Sequence, residues 1–157
     1  MLLQNQAIYD IMYRQYSTFQ RILQMFYEAK NLLKANDIKI EQGKDLSFPM
    51  HLHGSFEVII VTEGEMKVTV DKKEYLLTTS QALLVFPNQA HEIKTETHSC
   101  HYLCIFSTEL VRAYSKICQS KVPESNLFPL DRFYIDKLQS LRGNSNISQI
   151  KGVLYSI

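Results

Sequence analysis

The chain has no tryptophan, and its 157 residues include only five glycines, four prolines and three cysteines. It also lacks an excess of charge of either sign, because 17 basic residues are balanced by 16 acidic residues. A domain that grips nucleic acid through its phosphates normally carries a basic surplus, so these residues alone do not predict nucleic-acid binding. The composition, 45% apolar and 21% charged, is that of one globular domain.

Long hydrophobic runs are absent as well. No window approaches 18 uninterrupted apolar residues, and the N-terminus has no basic head followed by a continuous apolar stretch. The cysteines Cys100, Cys104 and Cys118 form an odd set without a secretory context, which predicts reduced thiols. We therefore expect a cytoplasmic protein that does not enter a membrane.

The first segment, residues 1–37, has a helical pattern. Apolar residues recur at steps of three and four between Asn5 and Asn36, and glycine and proline are absent until Gly43. This pattern predicts one long helix. Two interpretations stay open for it: a helix packed on its own domain, or a dimerisation helix.

Residues 38–107 have a strand pattern, with short apolar runs separated by turn material at Glu63–Glu65 and Asp71–Lys73. The runs 57–61 and 82–86 are apolar on both faces, which predicts that both faces are covered. Many short antiparallel strands favour a sandwich or a barrel. The six strand candidates are 57–64, 66–70, 74–79, 82–87, 92–97 and 100–107.

Helical periodicity returns in residues 108–157. The candidates are 108–117, with Thr108 as the expected N-cap, then 131–141 and 147–157. The last helix ends without a glycine, asparagine or basic cap, which indicates a domain taken from a longer protein. Its apolar face and that of the helix over 108–117 are the expected dimer surfaces.

The stretch "HLHGSFEVIIVTEG" carries the clearest chemical signal. His51 and His53 share parity, so on a strand their side chains point the same way, roughly 7 Å apart. Glu57 has the same parity, and His91 follows a second apolar strand. Neutral imidazoles and a carboxylate are ligands that a divalent metal takes.

The spacing of this stretch resembles the first signature of the cupin family, through His51, His53, Glu57 and Gly64. The "FPNQAH" stretch, which ends at His91, stands where cupins carry their second signature. The resemblance implies a mainly β fold, a jelly-roll cupin barrel over 38–107 between a long N-terminal helix and C-terminal helices. In cupin enzymes the matching residues hold Fe, Mn, Ni or Zn.

The second signature departs from the enzyme pattern, because Gln81 replaces a glycine and His91 lies one residue closer to Pro87. With the helices that follow, the pattern resembles the N-terminal sensing domain of bacterial AraC-type transcription regulators. That resemblance implies a barrel that binds a small effector such as a carbohydrate, helices that form a homodimer, and DNA binding by a separate C-terminal module. It implies no enzyme activity.

Three interpretations of His51, His53, Glu57 and His91 stay open: a bound Zn, Ni, Mn or Fe ion, a metal-free polar pocket, or a structural remnant. The alternative function is a small metal-dependent cupin enzyme of the isomerase or dioxygenase type. Aromatic rings on or beside the strands are further candidates for contact with an effector. They are Phe48, Phe56, Tyr75, Phe86 and Tyr102.

The cluster "HSCHYLC" offers a second set of metal-ligand types. His101 has the opposite strand parity to His98, Cys100 and Cys104, so all four cannot converge without a bulge. We therefore interpret these cysteines as core thiols of a barrel strand rather than as zinc ligands.

Overall fold

The computed structural model describes residues 26–28, 33–121, 123–143 and 146–157. Most of the predicted N-terminal helix lies outside these residues. Where the described part begins, Phe26–Tyr27 forms a short strand, β1, which pairs in parallel with residues 51–52. The prediction that the helix continues through this point is wrong, because pairing with a neighbouring strand outweighs the local helical pattern.

The rest of the described chain is mainly β, as the alternating pattern predicted. Every pairing beyond β1 is antiparallel. The strands are β2 Ile38–Lys44, β3 Phe48–Leu52, β4 Phe56–Val70, β5 Lys73–Thr78, β6 Gln81–Val85, β7 His91–Lys94, β8 Ser99–Phe106 and β9 Leu127–Pro129. The strands β2, β3 and β9 were not among the six predicted candidates, and β9 adds an edge to β6 from within the predicted helical segment.

The longest strand, β4, joins two halves of the sheet. Its first part pairs with β6 and β8, and its second part pairs with β5 and β7. The predicted turn at Glu63–Glu65 is instead a bend within one strand, where Gly64 has a φ of 70°. A Cβ at Gly64 would lie 2.1 Å from the carbonyl oxygen of His98, so this close crossing requires glycine.

Alternation along β4 produces two cores. Ile59 and Val61 face the barrel interior, where they join buried residues of β5, β6 and β7. Phe56, Val58 and Ile60 face the opposite way and join residues of the C-terminal helices. All five side chains are at most 3% exposed, which confirms that both faces of this strand are covered.

The C-terminal helices are α1 Arg112–Cys118, α2 Arg132–Ser140 and α3 Ile147–Leu154, preceded by a 3-10 turn at Thr108–Val111. The cap of that turn is Ser107 and not the predicted Thr108, because the Ser107 side chain accepts from the Glu109 N–H. Among the described helices, none has the length and apolarity needed to cross a membrane.

The helix α3 turns its apolar stripe onto the barrel. Ile150, Val153 and Leu154 are buried there against residues of the other helices and of β4. By contrast α1 buries no residue, and its Tyr114 and Ile117 are exposed. The expected dimer surface on α3 is therefore mostly used inside the domain.

Candidate metal and ligand site

Three strands bring His51, His53, Glu57 and His91 together; we refer to them as the quartet. His51 on β3 lies directly opposite His91 on β7, Glu57 lies on β4, and His53 follows β3. Each side chain offers one ligand atom, and these four atoms all lie within 4.8 Å of one another. All four side chains are buried, with His53 and His91 at 0% exposure and the other two at 2%.

The same local bond orients each imidazole of the quartet. Every ring places Nδ1 at hydrogen-bond distance from a backbone carbonyl oxygen two residues away. The bonds join His51 to Pro49 (2.8 Å), His53 to Ser55 (3.1 Å) and His91 to Gln89 (3.0 Å). A carbonyl oxygen only accepts, so Nδ1 carries the hydrogen and Nε2 of each neutral ring presents a lone pair.

Two of these Nε2 atoms lie close to the carboxylate of Glu57. Its Oε2 lies 2.9 Å from Nε2 of His53 and 3.3 Å from Nε2 of His91. Nε2 of His91 has no hydrogen-bond partner among the described residues, although it is fully buried. Lone pairs and a carboxylate repel at this distance unless a positive charge lies between them.

That positive charge is either a proton on an imidazole or a metal ion. A histidine that ligates a metal through one nitrogen usually donates its other N–H to a carbonyl or a carboxylate. All three histidines of the quartet already have this arrangement. The donor set therefore fits a divalent cation held by three nitrogens and one oxygen.

The protonation states agree with ligation. Burial lowers the pKa of His51 to about 4, and the neighbouring His91 ring adds to this effect. Burial alone would raise the pKa of Glu57, but the His53 and His91 rings, when they are protonated and donate to the carboxylate, outweigh it and lower the pKa to about 2. At neutral pH His51 is a neutral imidazole and Glu57 is a carboxylate, which are the forms that bind metals.

A second carboxylate, which the sequence analysis missed, approaches the quartet. Glu28 follows β1, its backbone N–H donates to Leu52, and its Oε2 lies 3.7 Å from Nε2 of His51. Nothing in the sequence spacing indicates this contact, because the helical pattern of the N-terminal segment hides the short β1 pairing.

The predicted aromatic residues do not share one pocket. Phe48 packs edge-on against His51, with ring centroids 4.6 Å apart. Tyr75 belongs to the interior core, and its hydroxyl donates to Asn126. Phe56, Phe86 and Tyr102 face the helices instead. The structure brings only Phe48 of these five to the quartet, and the role of each in ligand binding stays a prediction.

An additional cavity, which the sequence did not predict, lies between the outer face of the barrel and the helices. It has a volume of about 380 Å³ and mostly apolar walls. Phe86 is one of its lining residues, together with Val58, Leu84, Phe106, Tyr114 and Leu154. Because Val58 and Glu57 are adjacent on β4, this cavity and the quartet lie on opposite sides of the same strand.

Solved structures that are similar to part of this chain include protein NMB1881 from Neisseria meningitidis, with 21% identity and a TM-score of 0.42, covering 48% of this chain and 79% of that chain. The SPY1581 protein from Streptococcus pyogenes has 13% identity and a TM-score of 0.44, covering 53% and 80%. An RmlC-like cupin from Shewanella frigidimarina has 23% identity and a TM-score of 0.42, covering 45% and 67%.

No significant match is found among curated proteins. The family model of the AraC-like ligand binding domain, in contrast, matches residues 37–132, which include all of β2 to β9, α1 and the quartet. The cupin-type fold and the family suggested by the two histidine-containing motifs are thereby confirmed. This chain belongs to the family of AraC-like ligand binding domains.

Proposed function

We propose that this chain is the effector-sensing domain of an AraC-type transcription regulator, and that its quartet holds a divalent metal ion beside which a small polar effector binds. One observation carries the metal part of the proposal. Three buried imidazoles are locked by backbone carbonyls so that their Nε2 atoms converge with the Glu57 carboxylate. The family match carries the sensing part.

The types of ligand atom indicate which metals the quartet would bind. Imidazole nitrogens and one carboxylate oxygen suit Zn, Ni, Mn or Fe, and the quartet contains no thiolate. When bound, such an ion supplies a Lewis-acidic positive charge that attracts oxygen atoms of a polar ligand. The chain itself orients the three rings and excludes water around them, since all four side chains are at most 2% exposed.

The surroundings of the quartet favour one side for the effector. The barrel interior is filled by buried apolar residues such as Met66, Val68 and Leu77. The Glu28 carboxylate and the Phe48 ring both lie beside His51. A carbohydrate fits this combination, because its hydroxyls donate to a carboxylate while its C–H face packs on an aromatic ring.

Strand β4 gives a path from the quartet to the helices. Glu57 faces the histidines of the quartet, while its neighbours Phe56 and Val58 pack into the core shared with the helices. A ligand that prefers one arrangement by a few kcal/mol shifts most of a two-state population. We infer that occupancy changes the packing of α1 and α3 and thereby a homodimer contact, and that DNA is bound only by a separate module.

The test is a thermal-shift screen of sugars and hydroxy acids against the metal-loaded chain, its chelator-treated form and the Glu57→Gln variant. A ligand at 100 times its dissociation constant stabilises the native state by about 2.7 kcal/mol. We expect a hit that stabilises only the metal-loaded protein. A hit of equal size in Glu57→Gln would contradict the metal-dependent site.

The enzyme alternative makes a different prediction for the same hit. A sensor releases its effector chemically unchanged, whereas an isomerase or dioxygenase converts it over many turnovers. Mass spectrometry and NMR of the ligand after prolonged incubation with the metal-loaded chain separate the two. Unchanged ligand is the result that we expect, and turnover would overturn the sensor proposal.

A further inference from the structure

A second group of metal-ligating side chains lies at the surface, away from the quartet. It consists of Glu63 on β4, Cys100 on β8 and His98, which precedes β8. Sγ of Cys100 lies 3.5 Å from Oε2 of Glu63 and 3.7 Å from Nε2 of His98, and the last two atoms are 3.9 Å apart. A tetrahedral zinc site places such ligand atoms about 3.4–3.6 Å apart, so the three are close to that spacing.

A β-bulge creates this group. Val61 pairs with His101, and the next paired residue, Glu63, lies opposite Cys100, so Thr62 is the extra residue in β4. The bulge turns Glu63 to the face that Cys100 occupies; in a regular ladder Thr62 would lie opposite Cys100.

The imidazole of His98 is oriented by an outer carboxylate. Its Nδ1 lies 2.9 Å from Oδ1 of Asp45, and the same oxygen accepts the Ser99 N–H at 2.8 Å. With Nδ1 donating to Asp45, Nε2 presents its lone pair toward Glu63 and Cys100. This carboxylate–histidine pairing is the usual support of a metal-ligating imidazole.

The expectation that every cysteine of "HSCHYLC" is a core thiol therefore fails for Cys100. Cys104 is buried in the core that faces the helices, as expected. Cys100 is only partly buried and stands beside His98. His101 is turned away, with its ring against Gly43. The third ligand comes from β4, which a search along the "HSCHYLC" sequence could not find.

We propose that Glu63, His98 and Cys100 form a second, solvent-accessible site for a divalent cation of the zinc class, with water as the fourth ligand. Sulfur, imidazole nitrogen and carboxylate oxygen together suit Zn²⁺. The thiol proton leaves to solvent when the sulfur binds the ion. A bound ion would join the β4 bulge to the start of β8 and, through Asp45, to the turn after β2.

Cobalt separates this site from the quartet, because only the surface site contains sulfur. The experiment titrates Co²⁺ into the metal-free full chain and follows the thiolate-to-cobalt charge-transfer absorption in the near ultraviolet. We expect the band to saturate after two Co²⁺ per chain in the wild type, because the quartet also takes the ion, with the intensity of one thiolate-bound Co²⁺, and to be absent in Cys100→Ser. It should persist in Glu57→Gln, which alters only the quartet, and in Cys118→Ser, a matched control on α1.

The Glu63→Gln variant keeps the thiol and tests the geometry itself. We expect it to weaken Co²⁺ binding at the surface site by at least tenfold while the melting temperature of the metal-free protein is unchanged. The proposal is overturned if the wild-type chain shows no charge-transfer band, if the band survives in Cys100→Ser, or if Glu63→Gln binds Co²⁺ as tightly as the wild type.

Discussion

His51 and His91 lie directly opposite each other on β3 and β7, and their ring centroids are 3.9 Å apart. Two buried imidazoles at this distance cannot both carry a positive charge at low cost. The backbone carbonyls nonetheless hold both rings beside carboxylates, with Nε2 of His91 3.3 Å from Glu57 and Nε2 of His51 3.7 Å from Glu28. We propose that a metal cation shared by the two rings stabilises this arrangement, and the predictions for Glu57, Glu28 and His51 follow from it.

The first prediction compares the two carboxylates near the quartet. Glu57→Gln should lower metal affinity at the quartet by more than 100-fold, because it removes the only charged ligand. Glu28→Gln should lower it by about tenfold, which is the usual effect of a residue next to the ligands. Equilibrium dialysis in a Cys100→Ser background, which lacks the surface thiolate, measures both. Equal effects of the two variants would mean that Glu57 is not the central ligand.

The second prediction concerns acid. The folded pKa of His51 is about 4, below its ordinary value of 6.5. Between these pH values the unfolded chain binds a proton that the folded chain does not bind, so stability is lost as pH falls through this window. The depressed pKa of Glu57 acts in the same direction from pH 4.5 downward.

The measurement is the melting temperature of chelator-treated protein from about pH 7.5 to pH 4. We expect it to fall continuously in the wild type and to fall less in His51→Gln, which removes the titrating ring. A melting temperature that stays constant or rises as pH falls from 6.5 to 4 would contradict the buried neutral state of His51.

The third prediction concerns the bend in β4. Gly64→Ala should reduce the free energy of unfolding by about 1–3 kcal/mol from backbone strain at positive φ. The clash of its Cβ with the His98 carbonyl adds to this loss. Gly152→Ala is the matched control on α3, where a Cβ meets nothing within 4 Å. It should raise stability by up to about 1 kcal/mol. Urea unfolding measures both, and a neutral Gly64→Ala would refute the constraint.

The fourth prediction concerns association. Three apolar side chains are exposed on α1 and at the end of α3: Tyr114 (39%), Ile117 (52%) and Tyr155 (53%). The Tyr155 hydroxyl accepts the Ala113 N–H, which brings the end of α3 to α1, so the three form one apolar area. Ile117→Lys should weaken a homodimer at least tenfold in analytical ultracentrifugation. Phe133→Lys on α2, at an equally exposed position outside this area, should not. If Phe133→Lys weakened the homodimer and Ile117→Lys did not, the dimer surface would lie on α2 instead.

Patterns of short range in the sequence predicted much of the fold. The period-two runs predicted most of the strands from β4 to β8, and Asp131 begins α2 as a capped helix at the predicted place. The turn at Asp71–Lys72 is present, with both residues at positive φ. These features depend on neighbouring residues, so local spacing was sufficient to predict them.

Features that depend on distant pairing were not predictable in this way. β1 is defined by two residues that pair with β3, and the bend at Glu63–Glu65 is set by the approach of Gly64 to His98. The quartet was identified because its motif encodes parity and spacing. The Glu28–His51 and Glu63–Cys100 contacts belong to no sequence motif, since each joins residues that are distant in the sequence.

The most direct test of the central claim is X-ray absorption spectroscopy of the metal-loaded Cys100→Ser protein, in which the surface site lacks its sulfur. Three imidazole nitrogens and one carboxylate oxygen around one metal ion per chain, lost in Glu57→Gln, is the result that we predict. An absence of stoichiometric metal in Cys100→Ser, or an unchanged spectrum in Glu57→Gln, would contradict a metal centre built on His51, His53, Glu57 and His91.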